Sequence, residues 1–206
     1  APGAIGLAFQ SPEDCLFAHT VYDDVAFGPR RLGLGSHEVQ RRVTKSLVDV
    51  GLDPAEFGLR NPFTLSVGEQ RRVALAGVLS LEPQALLLDE PTAHLDPVAS
   101  LEIGENLLQL TRGREVTLVV AGHDADEMAR LAARVVVLAD GRIAADGPAE
   151  ETLADVELLN RNGLEPPAAV EIARLLAGAT GAAVPALLQE ETALATLLET
   201  AGRAGV

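Results

Sequence analysis

The chain has 206 residues, of which 48% are apolar and only 3% aromatic, so one domain, or a domain with a small appendage, must form around an aliphatic core of Leu, Val and Ala. Sixteen Lys and Arg against thirty Asp and Glu leave a net charge of −14. That balance argues against binding DNA or RNA by phosphate neutralisation and against a basic membrane-surface patch. A single cysteine, Cys15, excludes an internal disulfide and fits a reducing compartment.

Ile5 to Phe9 is a short apolar run that reads as a buried strand. Residues 11 to 35 are rich in turn residues. Ser36 can then cap a helix carrying Val39, Val43, Leu47 and Val50 on one face, which Gly51 ends. Residues 52 to 64 read as a loop. Ser66 is the next N-cap, opening a helix through Val73, Leu75, Ala76 and Leu79 toward Pro83. Ala85 to Leu88 is an apolar run ending in Asp89-Glu90-Pro91, and Asp96-Pro97 starts another helix. Val116 to Ala121 is a β-branched strand followed by Gly122-His123-Asp124, where Asp124 caps a helix to about Arg134. Val135 to Ala139 is a further strand, far too short to span a bilayer, and Asp140-Gly141 reads as a hairpin turn. Strands near residues 86, 118 and 136 joined by helical crossovers predict a mainly parallel α/β sheet. Residues 20 to 80 read as a helical insertion, and residues 149 to 206 as three short helices.

The polar residues fall where chemistry needs them. Parallel strands end at the sheet edge where ligands bind. Asp89 at such an end can hold Mg²⁺, and Glu90 can polarise an attacking water. Ser66 beside Gly68 offers a hydroxyl and free amides to an anion at a helix N-terminus. His123, just after a strand, can donate to a γ-phosphate, and Gln10, just after Ile5 to Phe9, can reach a metal or water at the same edge. Singly, each has a plainer reading as a cap, turn or strand-end residue. Their fixed order, Gln10, Ser66-Gly68, Asp89-Glu90, Asp96, His123, is what makes the set specific.

On these motifs the chain resembles the nucleotide-binding subunit of an ABC transporter. F-Q-S-P-E-D resembles the Q-loop, L-S-V-G-E-Q-R-R-V-A-L-A the signature helix, L-L-L-D-E-P-T-A-H-L-D-P Walker B running into the D-loop, and V-V-A-G-H-D the H-switch. The stretch Q-S-P-E-D-C-L-F-A-H-T-V-Y-D-D-V-A-F-G-P is similar to the energy-coupling-factor branch, whose complexes import vitamins or transition-metal ions such as cobalt or nickel. The resemblance covers residues 5 to 150 strongly and 151 to 178 more weakly.

It implies a P-loop NTPase-like ABC cassette over residues 1 to 150, with a helical subdomain at about 20 to 80 and a C-terminal helical extension at 151 to 206. It also implies ATP and Mg²⁺ as cofactors, with ATP hydrolysis driving import. Glu90 and His123 take the catalytic roles, and Asp89 and Gln10 stand on the metal side. Ser66, Gly68, Glu69 and Asp96 face the nucleotide held by a second ABC subunit, identical or not. A transmembrane coupling subunit is the other partner, which places the chain on the cytoplasmic face of the membrane without inserting into it.

Three departures accompany the resemblance. No G-x-x-x-x-G-K-[ST] occurs, and the only lysine, Lys45, lies on a predicted helix, so the Walker A cradle is missing. The chain opens Ala1-Pro2-Gly3 and its one methionine is Met128, so the expectation is an N-terminally truncated subunit. In the signature, Val67 and Glu69 replace the family's usual Gly and Gln, and Gly122 stands where Thr or Ser is commoner. Glu69 brings a carboxylate toward an anionic ligand unless it turns to the helix N-terminus. The alternative is a non-catalytic ABC-like regulatory or interaction module that contributes only a signature half-site.

Overall fold

The computed structural model describes residues 4–9, 11–93, 95–111 and 116–180. The chain divides into two compact units, Ala1–Ala121 and Gly122–Val206.

In the first unit, β1 (Ile5–Ala8), β2 (Ala85–Asp89) and β3 (Thr117–Ala121) form a parallel sheet in the order β1-β2-β3. Ala8 pairs with Leu88, and Asp89 with Ala121, so all three strands finish at one edge. Leu86 and Leu88 are buried on one face, toward the helices α4 (Val67–Leu79) and α5 (Pro97–Thr111). Gly6 on that face runs so close beneath α4 that an added Cβ would lie 2.5 Å from Val78. The other face carries Ile5, Leu7 and Val119, all exposed. The expectation of a buried strand therefore holds for β1 on one face only: among the described residues of this unit, helices cover the Gly6, Leu86 and Leu88 side.

Between β1 and β2 the chain is helical, as expected: α1 (Val21–Arg31), α2 (Ser36–Asp49), α3 (Pro54–Phe57), a 3₁₀ turn at Pro62–Thr64, then α4. Val21, Val25, Val43, Leu47 and Val73 are among the fully buried side chains of this layer. Two local readings need correction. Residues 52 to 64 are not a plain loop, because Asp53 and Asn61 each cap a short turn with Pro at its start. Ser36 is the first residue of α2 rather than its cap, since the backbone is still extended at Gly35 and already helical at Ser36.

Proline lies inside α1. Pro29 has no N–H, so the carbonyl of Val25 loses its helical partner. The Ser80 hydroxyl, just past α4, lies 3.0 Å from that carbonyl and 2.7 Å from its own helix carbonyl at Gly77, so its one proton is shared between the two. A buried acceptor left unmatched costs about 1–3 kcal/mol, so this tie welds α1 to α4.

The second unit holds α6 (Ala125–Leu131), β4 (Arg134–Ala139), β5 (Arg142–Pro148), α7 (Ala149–Thr152), α8 (Val156–Arg161) and α9 (Ala168–Thr180). Here the expected topology is corrected. β4 does not extend the parallel sheet but pairs antiparallel with β5 in a separate two-stranded sheet. The turn between them is Asp140-Gly141, with φ of +49° and +71° at its two residues, the left-handed pair a two-residue hairpin requires. Arg134 and Asp146 close the hairpin's other end through two hydrogen bonds of 2.7 Å. Helix α6 stops at Leu131, three residues short of the expected Arg134, because that residue already opens β4. Val137, Ala149, Leu153, Leu158 and Leu159 form the unit's core, with Met128 and Val135 packed against it. Helices α7 and α8 are short, α9 runs for 13 residues, and the rest of the expected helical stretch, residues 181 to 206, lies outside the described residues. Among the described residues no helix is long and apolar enough to cross a membrane.

Candidate functional site

Asp89 is exposed at the carboxyl end of β2, directly after the buried Leu88. Glu90 follows at φ +45°, in the left-handed region. A residue with a side chain holds that conformation at a cost of roughly 1–3 kcal/mol, and such outliers gather at functional sites. The backbone around Glu90 is tied on both sides. Its N–H donates to the Ala121 carbonyl at 2.8 Å, and its carbonyl accepts from the Ala93 N–H at 3.1 Å. The chain turns again where the Leu95 N–H donates to the Thr92 carbonyl at 3.2 Å. Asp96 then accepts from the amides of Val98 and Ala99 at 3.0 and 3.1 Å, which starts α5.

At the other corner of the unit, Ser66 caps α4 within a reciprocal capping box. Its hydroxyl accepts from the Glu69 N–H at 3.3 Å, while the Glu69 carboxylate accepts from the Ser66 N–H at 2.7 Å and from the Ser66 hydroxyl at 2.8 Å. The backbone N–H and the hydroxyl of Ser66, aided by the charges of Arg60 and Arg72, hold the Glu69 carboxyl below its ordinary range. Glu69 has thus turned to its own helix N-terminus. Val67 projects from the first position of the helix, 53% exposed. A Cβ on Gly68 would lie 3.8 Å from Leu95, so the signature turn and the Leu95-Asp96 segment are neighbours.

His123 is exposed in the bend between β3 and α6, where the second unit opens. Asp124 beside it caps α6 by accepting from the Glu127 N–H at 3.0 Å. Gln10 lies outside the described residues. One residue that the motif reading passed over is Arg71. It is 4% exposed, and its guanidinium donates to the carbonyls of Pro91 and Ala93, just beyond Glu90. The signal was present in the helical spacing: Arg71, Leu75 and Leu79 recur at i, i+4 and i+8 on the buried stripe of α4.

Residues 1–93 match the family model described as ABC transporter. The chain is 48% identical over 169 residues to the energy-coupling factor transporter ATP-binding protein EcfA2 of Symbiobacterium thermophilum, over 82% of this chain and 58% of that protein. It is 46% identical over 167 residues to a putative ABC transporter ATP-binding protein of Geobacter sulfurreducens, over 81% of this chain and 65% of that one. The solved structure of cbiO1 from Clostridium perfringens, described as part of the ABC transporter complex cbiONQ, superposes with a TM-score of 0.69 at 36% identity, over 77% of this chain and 62% of that one. The chain thus carries an ABC transporter domain at residues 1–93 and is similar to ABC transporter ATP-binding proteins over about four fifths of its length. It spans 58% to 65% of the length of these relatives.

The chemistry of the described residues at these two corners can be compared with what Mg²⁺ and a phosphate require. Mg²⁺ takes one or two carboxylates and completes its octahedron with water and phosphate oxygens. Asp89 is an exposed hard-oxygen donor at the strand edge, a donor type that Mg²⁺ accepts. The amides at the start of α4 favour an anion, provided the Glu69 carboxylate yields its place.

Proposed function

We propose that the chain serves as the ATP-binding, ATP-hydrolysing subunit of an energy-coupling-factor ABC importer, powering uptake of a vitamin or of a transition-metal ion of the cobalt or nickel kind. The names of its relatives support the class, and residues 1 to 150 carry the ATPase body, with 151 to 206 as an extension. The observation that carries the reading is Glu90: a carboxylate next to Asp89 at the common edge of three parallel strands, held in a costly backbone conformation by ties on both sides.

Bound Mg·ATP supplies the phosphoanhydride to be cleaved and the metal charge that neutralises it. Asp89, with Gln10, would hold the Mg²⁺. Glu90 accepts a hydrogen bond from the attacking water and aims it. His123 donates to the terminal phosphate. The amides of Ser66 and Gly68 and the Ser66 hydroxyl contact the nucleotide held by a second ABC subunit, and Asp96 faces that subunit. In this role Glu69 is the gate on the Ser66 donors rather than a phosphate ligand, since two anions repel. Residues 12 to 28 receive the transmembrane coupling subunit, and the assembly lies on the cytoplasmic face of the membrane. Neither nucleic acid nor bilayer insertion has a part.

A second reading has one observation in its favour. The Glu69 carboxylate already occupies the Ser66 donors, which suits a regulatory module that offers only a signature half-site. One experiment separates the two. In the assembled transporter, Glu90→Gln should leave ATP binding intact and lower turnover by roughly 10²- to 10⁴-fold, the range of a lost proton acceptor. Turnover within twofold of the parent would reject the catalytic reading and favour the module.

A further inference from the structure

We infer that Arg71 is a positioning residue for Glu90: through the carbonyls of Pro91 and Ala93, it fixes the turn after β2 against the signature helix. The inference rests on the reading of Glu90 as the group that aims the attacking water.

Arg71 stands five residues after Ser66 in α4, on the stripe that faces the sheet. A buried guanidinium loses several kcal/mol of hydration, and an aliphatic side chain would fill the stripe without that loss. Part of that cost is offset here by bonds from one terminal nitrogen of Arg71 to backbone carbonyls. Its terminal nitrogen lies 3.4 Å from the Pro91 carbonyl oxygen and closer still to that of Ala93. They belong to the first and third residues after Glu90. Ala93 also closes the turn, since its N–H donates to the Glu90 carbonyl. Arg71 therefore clamps one arm of the turn, and the Ala121 carbonyl clamps the other through the Glu90 N–H. The next residue, Arg72, pairs instead with Glu102 on α5, so two adjacent arginines hold two different elements.

The physical consequence follows from the strain. Glu90 gains roughly 1–3 kcal/mol by leaving the left-handed region, and it stays only while the turn is held from both sides. Without Arg71 the turn relaxes and the carboxylate swings off its line. Because α4 is a single rigid helix, Arg71 also links the Ser66 end, which faces the partner's nucleotide, to the Glu90 turn of the same chain.

The test uses the subunit assembled with its transporter partners. Arg71→Met is expected to lower kcat for ATP by roughly 5- to 100-fold, the strain expressed as a population, with KM changed less than twofold because Arg71 is not placed on the nucleotide. Arg71→Lys, which keeps the charge and can reach one carbonyl, should recover part of kcat. In the 206-residue chain, hydrogen exchange at the Ala93 and Leu95 amides should quicken in Arg71→Met. Unchanged kcat and unchanged exchange in Arg71→Met overturn the inference, and so does a Lys variant no better than Met. Should Arg71→Met not fold, Arg71→Lys is measured against the parent, and equal kcat and equal exchange overturn it. If Glu90→Gln itself keeps its turnover, the catalytic reading of Glu90 has failed instead, and the exchange rates alone then decide whether Arg71 braces the turn.

Discussion

Ser66 and Glu90 each stand next to a regular element, yet they are held in different ways. Ser66 lies in relaxed extended backbone, at φ −63° and ψ 158°, and its partner is Glu69, three residues on. Glu90 lies at φ +45°, and its ties run to Ala121 and, through the turn, to Arg71. One corner is a local device that α4 would form in almost any context. The other exists only when strand, turn and helix have all docked. Local devices set how a helix begins; the docked one sets where a carboxylate points.

The same contrast orders the expected effects. The largest should come from a tie between distant segments. Ser80→Ala leaves the Val25 carbonyl above Pro29 unmatched and should cost about 1–3 kcal/mol in a urea titration of the chain. A loss below about 0.5 kcal/mol, the scale of an ordinary surface change, would mean that the tie is dispensable. Ser66→Ala removes a local cap and should cost about 1 kcal/mol in the same titration, with no tie elsewhere disturbed. Glu90→Gly tests the strain. Glycine accepts a positive φ, so the variant should be more stable by roughly 0.5–1 kcal/mol while losing activity, whereas a lowered thermal midpoint would show that the Glu90 side chain stabilises the fold.

The smallest effect is one of pH. The Glu69 carboxyl is depressed in the fold by the N–H and hydroxyl of Ser66. Its contribution is therefore fully present above the ordinary carboxylate value of 4.5 and is lost as pH falls through the lower folded value. Glu69→Gln keeps a capping oxygen without the charge. Its stability should match the parent's at the acid end and fall slightly below it at neutral pH. A difference of constant size across that range would assign the contact to shape rather than charge.

Much of this was legible in the sequence because it is local. Ser66, Asp96 and Asp124 read as caps from side-chain type and spacing alone, and all three make the expected bonds. Glu69 read as either facing a phosphate or meeting its own helix, and it does the second. Asp140-Gly141 read as a hairpin turn because few other pairs tolerate two left-handed residues. The misreadings concern partners. Val135 to Ala139 has the same apolar character as Val116 to Ala121, and periodicity cannot say that one joins the parallel sheet and the other a hairpin. Gly35 rather than Ser36 caps α2, a one-residue choice made by backbone angles. Arg71 passed unnoticed because its meaning lies in carbonyls twenty residues away.

The central claim is that the Glu90 corner of one subunit and the Ser66 corner of another meet at a single nucleotide. It is tested most directly by placing Glu90→Gln and Gly68→Asp in two differently tagged subunits of one transporter and measuring ATP turnover. With the substitutions in separate subunits, one composite site keeps both of its intact corners, so measurable turnover is predicted. With both substitutions in the same subunit beside an unaltered partner, each site has one damaged corner and turnover should be abolished. The opposite pattern, activity only when both changes share a subunit, would mean that each chain works alone, and would contradict the account.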